Sequence, residues 1–254
     1  MRNRVLFSNA VNAANSANSG SKTESTLDVC LYRSQIVVFA GYFDPAKLSR
    51  KTLIENKIAQ PIEVRKSSQF EHHICQLNTP RYQMLVLPPQ LQLVLNAKHV
   101  RDGALAVRKV HRVTRLVPNT PLRSVSINIT WHMWPEDGNI ANLSRRMFGA
   151  RTNPLHTRFD GDETFFGTYL SAPQFDGRVR LDVKPVEANS ADGTELHLSF
   201  AFNFSRDLPA DDSRSVLKQH LAKWDKAFAM TETVMNDMRR KFEGKTTPPP
   251  RKPK

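Results

Sequence analysis

The stretch from Leu122 to Trp134, LRSVSINITWHMW, decides the fold class. Val125, Ile127, Ile129, Trp131 and Met133 alternate there with Ser124, Ser126, Asn128, Thr130 and His132. Successive side chains of a strand point to opposite faces, so a period of two predicts a strand with one face in a core. From Glu195 to Phe204, ELHLSFAFNF, the pattern returns: Leu196, Leu198, Phe200, Phe202 and Phe204 alternate with His197, Ser199, Ala201 and Asn203. Neither polar half, from Ser124 to His132 or from His197 to Asn203, contains a Lys, Arg, Asp or Glu. Solvated strand faces usually carry long charged side chains. Small uncharged groups therefore predict a face covered by another layer of the chain, by a ligand or by a partner.

Between these strands, Thr164–Leu170 and Arg178–Val186 flank Gln174-Phe175-Asp176-Gly177, where Asp-Gly is a hairpin signal. Asp192-Gly193 marks a further turn. Pro135-Glu136-Asp137-Gly138 leads into a short helix, Asn139 to Phe148, stopped at Gly149. Asp211 to Phe242 reads as one helix, with Asp211, Asp212 and Ser213 supplying N-cap chemistry and no Gly or Pro inside. Upstream the same order recurs. Gln35–Tyr42 is a strand, and Asp44-Pro45 opens a helix to about Lys57. Phe70–Leu77, Tyr82–Leu87 and Leu91–Asn96 are strands, followed by a helix over Gly103–Val117 with Ala106, Val110, Val113 and Val117 on one stripe.

The expectation is an α+β fold of duplicated β-α-β-β-β-α units, with a mainly antiparallel curved sheet and a long C-terminal helix. The units span 27–120 and 121–243. They lie between an Asn-, Ala- and Ser-rich tail at 1–26, expected to be disordered or partner-bound, and a basic Pro-rich tail at 244–254. This order resembles the duplicated saddle of the TATA-binding-protein fold over about Gln35 to Phe242. The resemblance is topological, with three strands counted after each first helix where that family has four. TFFGTYLSAPQFDGRVRLDVKPV (Thr164 to Val186), followed by SFAFNF and then Trp224, also resembles a sporadically distributed bacterial family of unknown function, which implies no mechanism.

The chain has 254 residues and a net charge of +13, and the placement of that charge is informative. Lys98 to Arg123 carries seven Lys/Arg against Asp102, and Arg239 to Lys254 carries seven against Glu243. Clustered cations are what a polyanion-binding surface requires, because each phosphate contact releases counterions. Arg108, Lys109, Arg112 and Arg115, with Arg239, Arg240 and Lys241, are the candidate nucleic-acid contacts. No run approaches the roughly 18 apolar residues of a membrane span, so no membrane association is expected. Val5-Leu6-Phe7 is too short for a secretory segment, although the absence of acids before Glu24 leaves an organellar transit peptide open. Cys30 and Cys75 fit a reducing, cytoplasmic compartment.

No GxxxxGK[ST] or GxSxG motif occurs. His72, His73 and Cys75 are close-spaced soft ligands, but only the distant Cys30 could complete a zinc set. Asp160-Gly161-Asp162-Glu163 could hold a hard cation, or form a polar turn. Asp182 and Lys184 share one strand face and, with Asp162, suggest a metal-dependent nuclease; the plainer alternative is a solvated strand face. No metal or cofactor is expected.

The final helix spaces Leu217, Leu221, Trp224, Phe228, Thr231, Met235, Met238 and Phe242 in an unbroken 4-3 pattern. As one 32-residue helix it would be about 48 Å long. Met235, Met238 and Phe242 are then expected to lie exposed until a protein partner or a second copy covers them. The functional expectation is a non-catalytic basic subunit of a nucleoprotein or protein assembly, contacting DNA or RNA phosphates without reading sequence. A protein-interaction scaffold with incidental charge is the alternative, and the nuclease the third reading.

Overall fold

The alternating stretch from Leu122 becomes a central strand because its apolar half is covered by helices while its backbone pairs on both edges. The structure, a computed structural model, describes residues 26–150, 152–159, 161–190 and 193–243. The strands are β1 (Leu27–Ala40), β2 (Gln69–Glu71), β3 (Ile74–Asn78), β4 (Tyr82–Leu87), β5 (Gln90–Leu95), β6 (Leu122–Pro135), β7 (Thr168–Gln174), β8 (Gly177–Ser190) and β9 (Gly193–Asp207). The helices are α1 (Arg50–Glu55), α2 (Gly103–Leu116), α3 (Ile140–Phe148), α4 (Pro154–Arg158), α5 (Ser213–Leu221) and α6 (Trp224–Phe242). Short 3-10 turns occupy Pro45–Lys47, Pro61–Glu63 and Ala97–His99. The fold is α+β, as expected. The strands form one antiparallel curved sheet in the order β2-β3-β4-β5-β1-β6-β9-β8-β7. β1 and β6 pair with each other at its centre, flanked by β5 and β9.

One face of this sheet holds the core. Val125, Ile127, Ile129, Trp131 and Met133 of β6 and Leu198, Phe200, Phe202 and Phe204 of β9 are all buried there. Leu53 of α1, Val110 and Val113 of α2, Leu143 of α3, Leu217 and Leu221 of α5, and Trp224 and Ala227 of α6 join the same contiguous cluster. Two polar side chains that enter it find partners across the core. Trp131 Nε1 donates to Thr231 Oγ1 at 2.9 Å, and the His220 ring lies 3.1 Å from the Phe204 carbonyl.

Several boundaries differ from expectation for identifiable reasons. β1 starts at Leu27 rather than Gln35, because an irregularity between Leu31 and Arg33 reverses the side-chain phase and hides the alternation. The first helix is a 3-10 turn plus the six residues of α1. Phe70–Leu77 is two strands that turn back at His72-His73, so four strands follow α1 while three follow α4. The β7–β8 turn is Phe175-Asp176, both with positive φ (54° and 58°), one residue earlier than Asp-Gly predicts. Gly177 serves a different purpose, since a Cβ there would sit 2.2 Å from the Ser205 carbonyl of the neighbouring strand. The Asp192 half of the next turn, Asp160 of the acidic run, residues 1–25 of the first tail and the whole of 244–254 lie outside the described residues.

The long C-terminal helix is interrupted at Ala222-Lys223. The Trp224 indole occupies the space beside Gly103, where a Cβ would meet its Nε1 at 1.9 Å. Because α6 begins at Trp224, its nineteen residues rise only about 28 Å and remain over the sheet. The expectation that Met235, Met238 and Phe242 lie exposed in the single chain is therefore corrected. Met235 is 1% exposed, and Met238 and Phe242 are half-buried against the core.

Candidate functional site

Two surfaces gather polar and charged side chains. The first is a groove between the end of α1 and the outer side of α2. Asp102 caps α2 by accepting from the Leu105 amide at 3.0 Å, and the apolar stripe of the helix packs inward. That leaves Arg108, Lys109 and Arg112 facing Lys57, Gln60, Pro61, Glu63 and Arg81 across a depression of about 470 Å³. Five cations thus line it against the single carboxylate of Glu63. Lys57 has positive φ (54°), and its carbonyl accepts from Lys109 Nζ at 3.0 Å and from the Arg112 guanidinium.

This convergence has an electrostatic cost. Lys109 is held below its ordinary pKa, first by burial and then by the neighbouring Arg112. Glu63 acts in the opposite sense, and its own carboxylate also accepts from the Gln60 amide at 2.9 Å. Arg81 pairs with Asp102 at 2.6 Å. Arg108 is exposed, and no ion pair engages it among the described residues. Lys57 and Arg81 escape a local charge count because they lie far upstream of α2; only the fold brings them in. Arg115 is exposed near the C-terminal end of α2, where it helps depress the His111 pKa after burial.

Among the described residues, no contact brings Arg239, Arg240 or Lys241 of the second predicted cluster to this groove. Arg239 pairs with Glu243, the residue that caps α6, at 3.2 Å, and Arg240 pairs with Asp237 within α6. Lys241 Nζ sits 5.4 Å from the Phe242 ring. The end of α6 lies instead beside α3, where Arg146 donates to the Phe242 carbonyl.

The second surface is the sheet face opposite the helices. Cross-strand register sets the open-face side chains in rows. Gln35, Asn128, Asn203, Arg180 and Ser171 form one row across β1, β6, β9, β8 and β7, with Val37, Ser126, Ser205, Arg178 and Pro173 in the next. Gln92 donates to Gln35 at 2.8 Å and Asn203 to Asn128, so the middle of the face is knit by amides. The uncharged polar halves of β6 and β9 therefore sit on the open face rather than under a layer of helices.

Toward the Trp134 end of β6, rings stack. Tyr32 lies on His132 with centroids 4.0 Å apart and planes within 11°, and Trp134 lies on His197 at 4.2 Å and 9°. The two histidines meet edge-on, Nδ1 to Nδ1 at 3.3 Å, and Glu195 lies 3.6 Å from His197. Burial, followed by the neighbouring His197, pushes the His132 pKa down to about 4; burial also lowers that of His197.

The remaining candidates stay apart. His72 and His73 are exposed, whereas Cys75 is buried and its thiol is pushed up to about 12, which disfavours the thiolate a metal needs. Asp182 pairs with Lys184 at 2.9 Å on the open face. Among the described residues no three His, Cys, Asp or Glu side chains gather closely enough to hold a metal ion. Among the described residues no helix is long and apolar enough to cross a membrane. No protein-family model matches the chain, and no curated protein matches it.

Proposed function

We propose that the chain is a non-catalytic nucleic-acid-binding protein that grips phosphates in the groove between α1 and α2. The observation that carries this reading is the convergence of Lys57, Arg81, Arg108, Lys109 and Arg112 on one depression with a single acid. Burying Lys109 and setting it beside Arg112 opposes folding, as its lowered pKa reflects. A bound polyanion reverses that cost and gains from counterion release. Lys109 and Arg112 each spend part of their donor capacity on the Lys57 carbonyl, which orients them, and retain further N–H groups for a phosphate. Such contacts position a backbone without reading bases.

The test uses Arg108→Glu, because Arg108 is exposed and no ion pair engages it among the described residues. In filter binding at about 50 mM salt, where phosphate contacts are strong, DNA and RNA affinity should fall about tenfold or more while Arg239→Glu has a smaller effect. Equal binding by wild type and Arg108→Glu refutes the groove as the site.

A further inference from the structure

We infer that the open face of the sheet is a platform for single-stranded nucleic acid, with bases stacking on Phe39 and Tyr32 and phosphates held by Arg33, Arg178 and Arg180. It rests on the nucleic-acid reading above but assigns a second surface and a strand preference. Phe39 is 43% exposed and Tyr32 55% exposed, although both stand on a central strand where large apolar side chains are ordinarily covered. Both side chains are on the open face: Phe39 lies opposite Ser124, and Tyr32 stacks on His132. His132 backs one side of the Tyr32 ring and leaves the other available, which is the geometry of a preformed stacking surface. The two rings stand seven positions apart, about 23 Å along a strand.

The ground beside Phe39, toward β8, suits a sugar-phosphate chain. A depression of about 480 Å³ is lined by Phe39, Ser126, Arg178, Arg180, Asn203 and Ser205 among others. Arg180 reaches over β9, its guanidinium 3.5 Å from Ser205 Oγ. Among the described residues, the buried Asn203 Oδ1 has no hydrogen-bond partner. Charge complementarity favours an anion, because the acids of this face are largely engaged. Asp182 is held by Lys184, Glu195 lies against His197, and Asp176 at the rim is held by Lys223, which leaves Asp28 and Asp207. Arg33, Arg178 and Arg180 make no ion pair among the described residues. Two copies apposed through this face would set those cations against each other, which argues against self-association as its use. A duplex keeps its bases stacked inside, whereas a single strand offers their faces to aromatic side chains.

The experiment is fluorescence anisotropy of a labelled oligothymidine and of a duplex of equal length. Phe39→Ala and Tyr32→Ala should each weaken single-strand binding by at least about fivefold, the low end for one lost stack, and leave duplex binding unchanged. Phe39→Trp should restore affinity, which a variant that merely misfolds could not do. If wild type binds both forms equally and neither alanine variant matters, the platform is refuted while the groove reading stands. If wild type binds neither, both fail. A wild-type dimer in sedimentation that Phe39→Ala dissolves would assign the face to a second copy and overturn the proposal.

Discussion

Trp224 and Gly103 fit together through an absent side chain. The indole lies where a Cβ on Gly103 would stand, and Trp224 itself is 3% exposed. Trp224→Ala should cost about 3–5 kcal/mol through lost burial and the cavity left behind. Gly103→Ala should cost about 1–3 kcal/mol through overpacking. Urea midpoints check both, and an unchanged midpoint for Gly103→Ala contradicts this contact.

His132 supplies the pH dependence. Its pKa falls from the ordinary 6.5 to about 4 on folding, so between those values the unfolded chain binds the proton more readily. Stability is full above about pH 6.5 and is lost as pH falls toward about 4; His197 and His220 shift in the same direction. Melting temperature should therefore drop over that window, and less steeply for His132→Phe, which keeps a ring under Tyr32. Identical slopes for the two proteins would show that His132 is not the group responsible. The sequence revealed that His132 and His197 share uncharged strand faces. It could not reveal that they touch, because that depends on the pairing of β6 with β9 across 65 residues of chain.

At the scale of elements, β6 and β9 were legible because each buries one face and pairs along its full length. The first half of β1 was not, since the irregularity after Leu31 moves the apolar set out of phase. The C-terminal helix is instructive in another way. Its 4-3 stripe runs through Leu217, Leu221, Trp224, Thr231 and Met235, all of them buried, yet gives no sign of the break before Trp224. The phase of the stripe survives the break, so periodicity cannot detect it. The consequence is that Met235 belongs to the core. Met235→Ala should cost about 2–5 kcal/mol, as for other buried methionines, while half-buried Met238→Ala costs clearly less. Equal losses in thermal melts would contradict this ordering.

At the scale of the molecule, one sheet separates two polar surfaces: the groove beside α2 on the helical side and the open face on the other. The charge excess was visible in composition, and Arg108, Lys109 and Arg112 stand in the groove as part of it. Lys57 and Arg81 were invisible as members because the fold assembles them from distant segments, and Arg178 and Arg180 looked like any polar half of a strand. The cations at the end of α6 are partly neutralised by Glu243 and Asp237, pairs that contribute little to stability at a surface. The groove is the stronger claimant to phosphate. The most direct test is the slope of log affinity against log salt for duplex DNA, measured for wild type and for Arg108→Ala/Lys109→Ala/Arg112→Ala. Each lost phosphate contact removes about 0.9 from the slope, so the triple variant should be shallower by about 2–3 and weaker at every sequence tested. Parallel lines for the two proteins, or no wild-type binding at about 50 mM salt, would contradict the account.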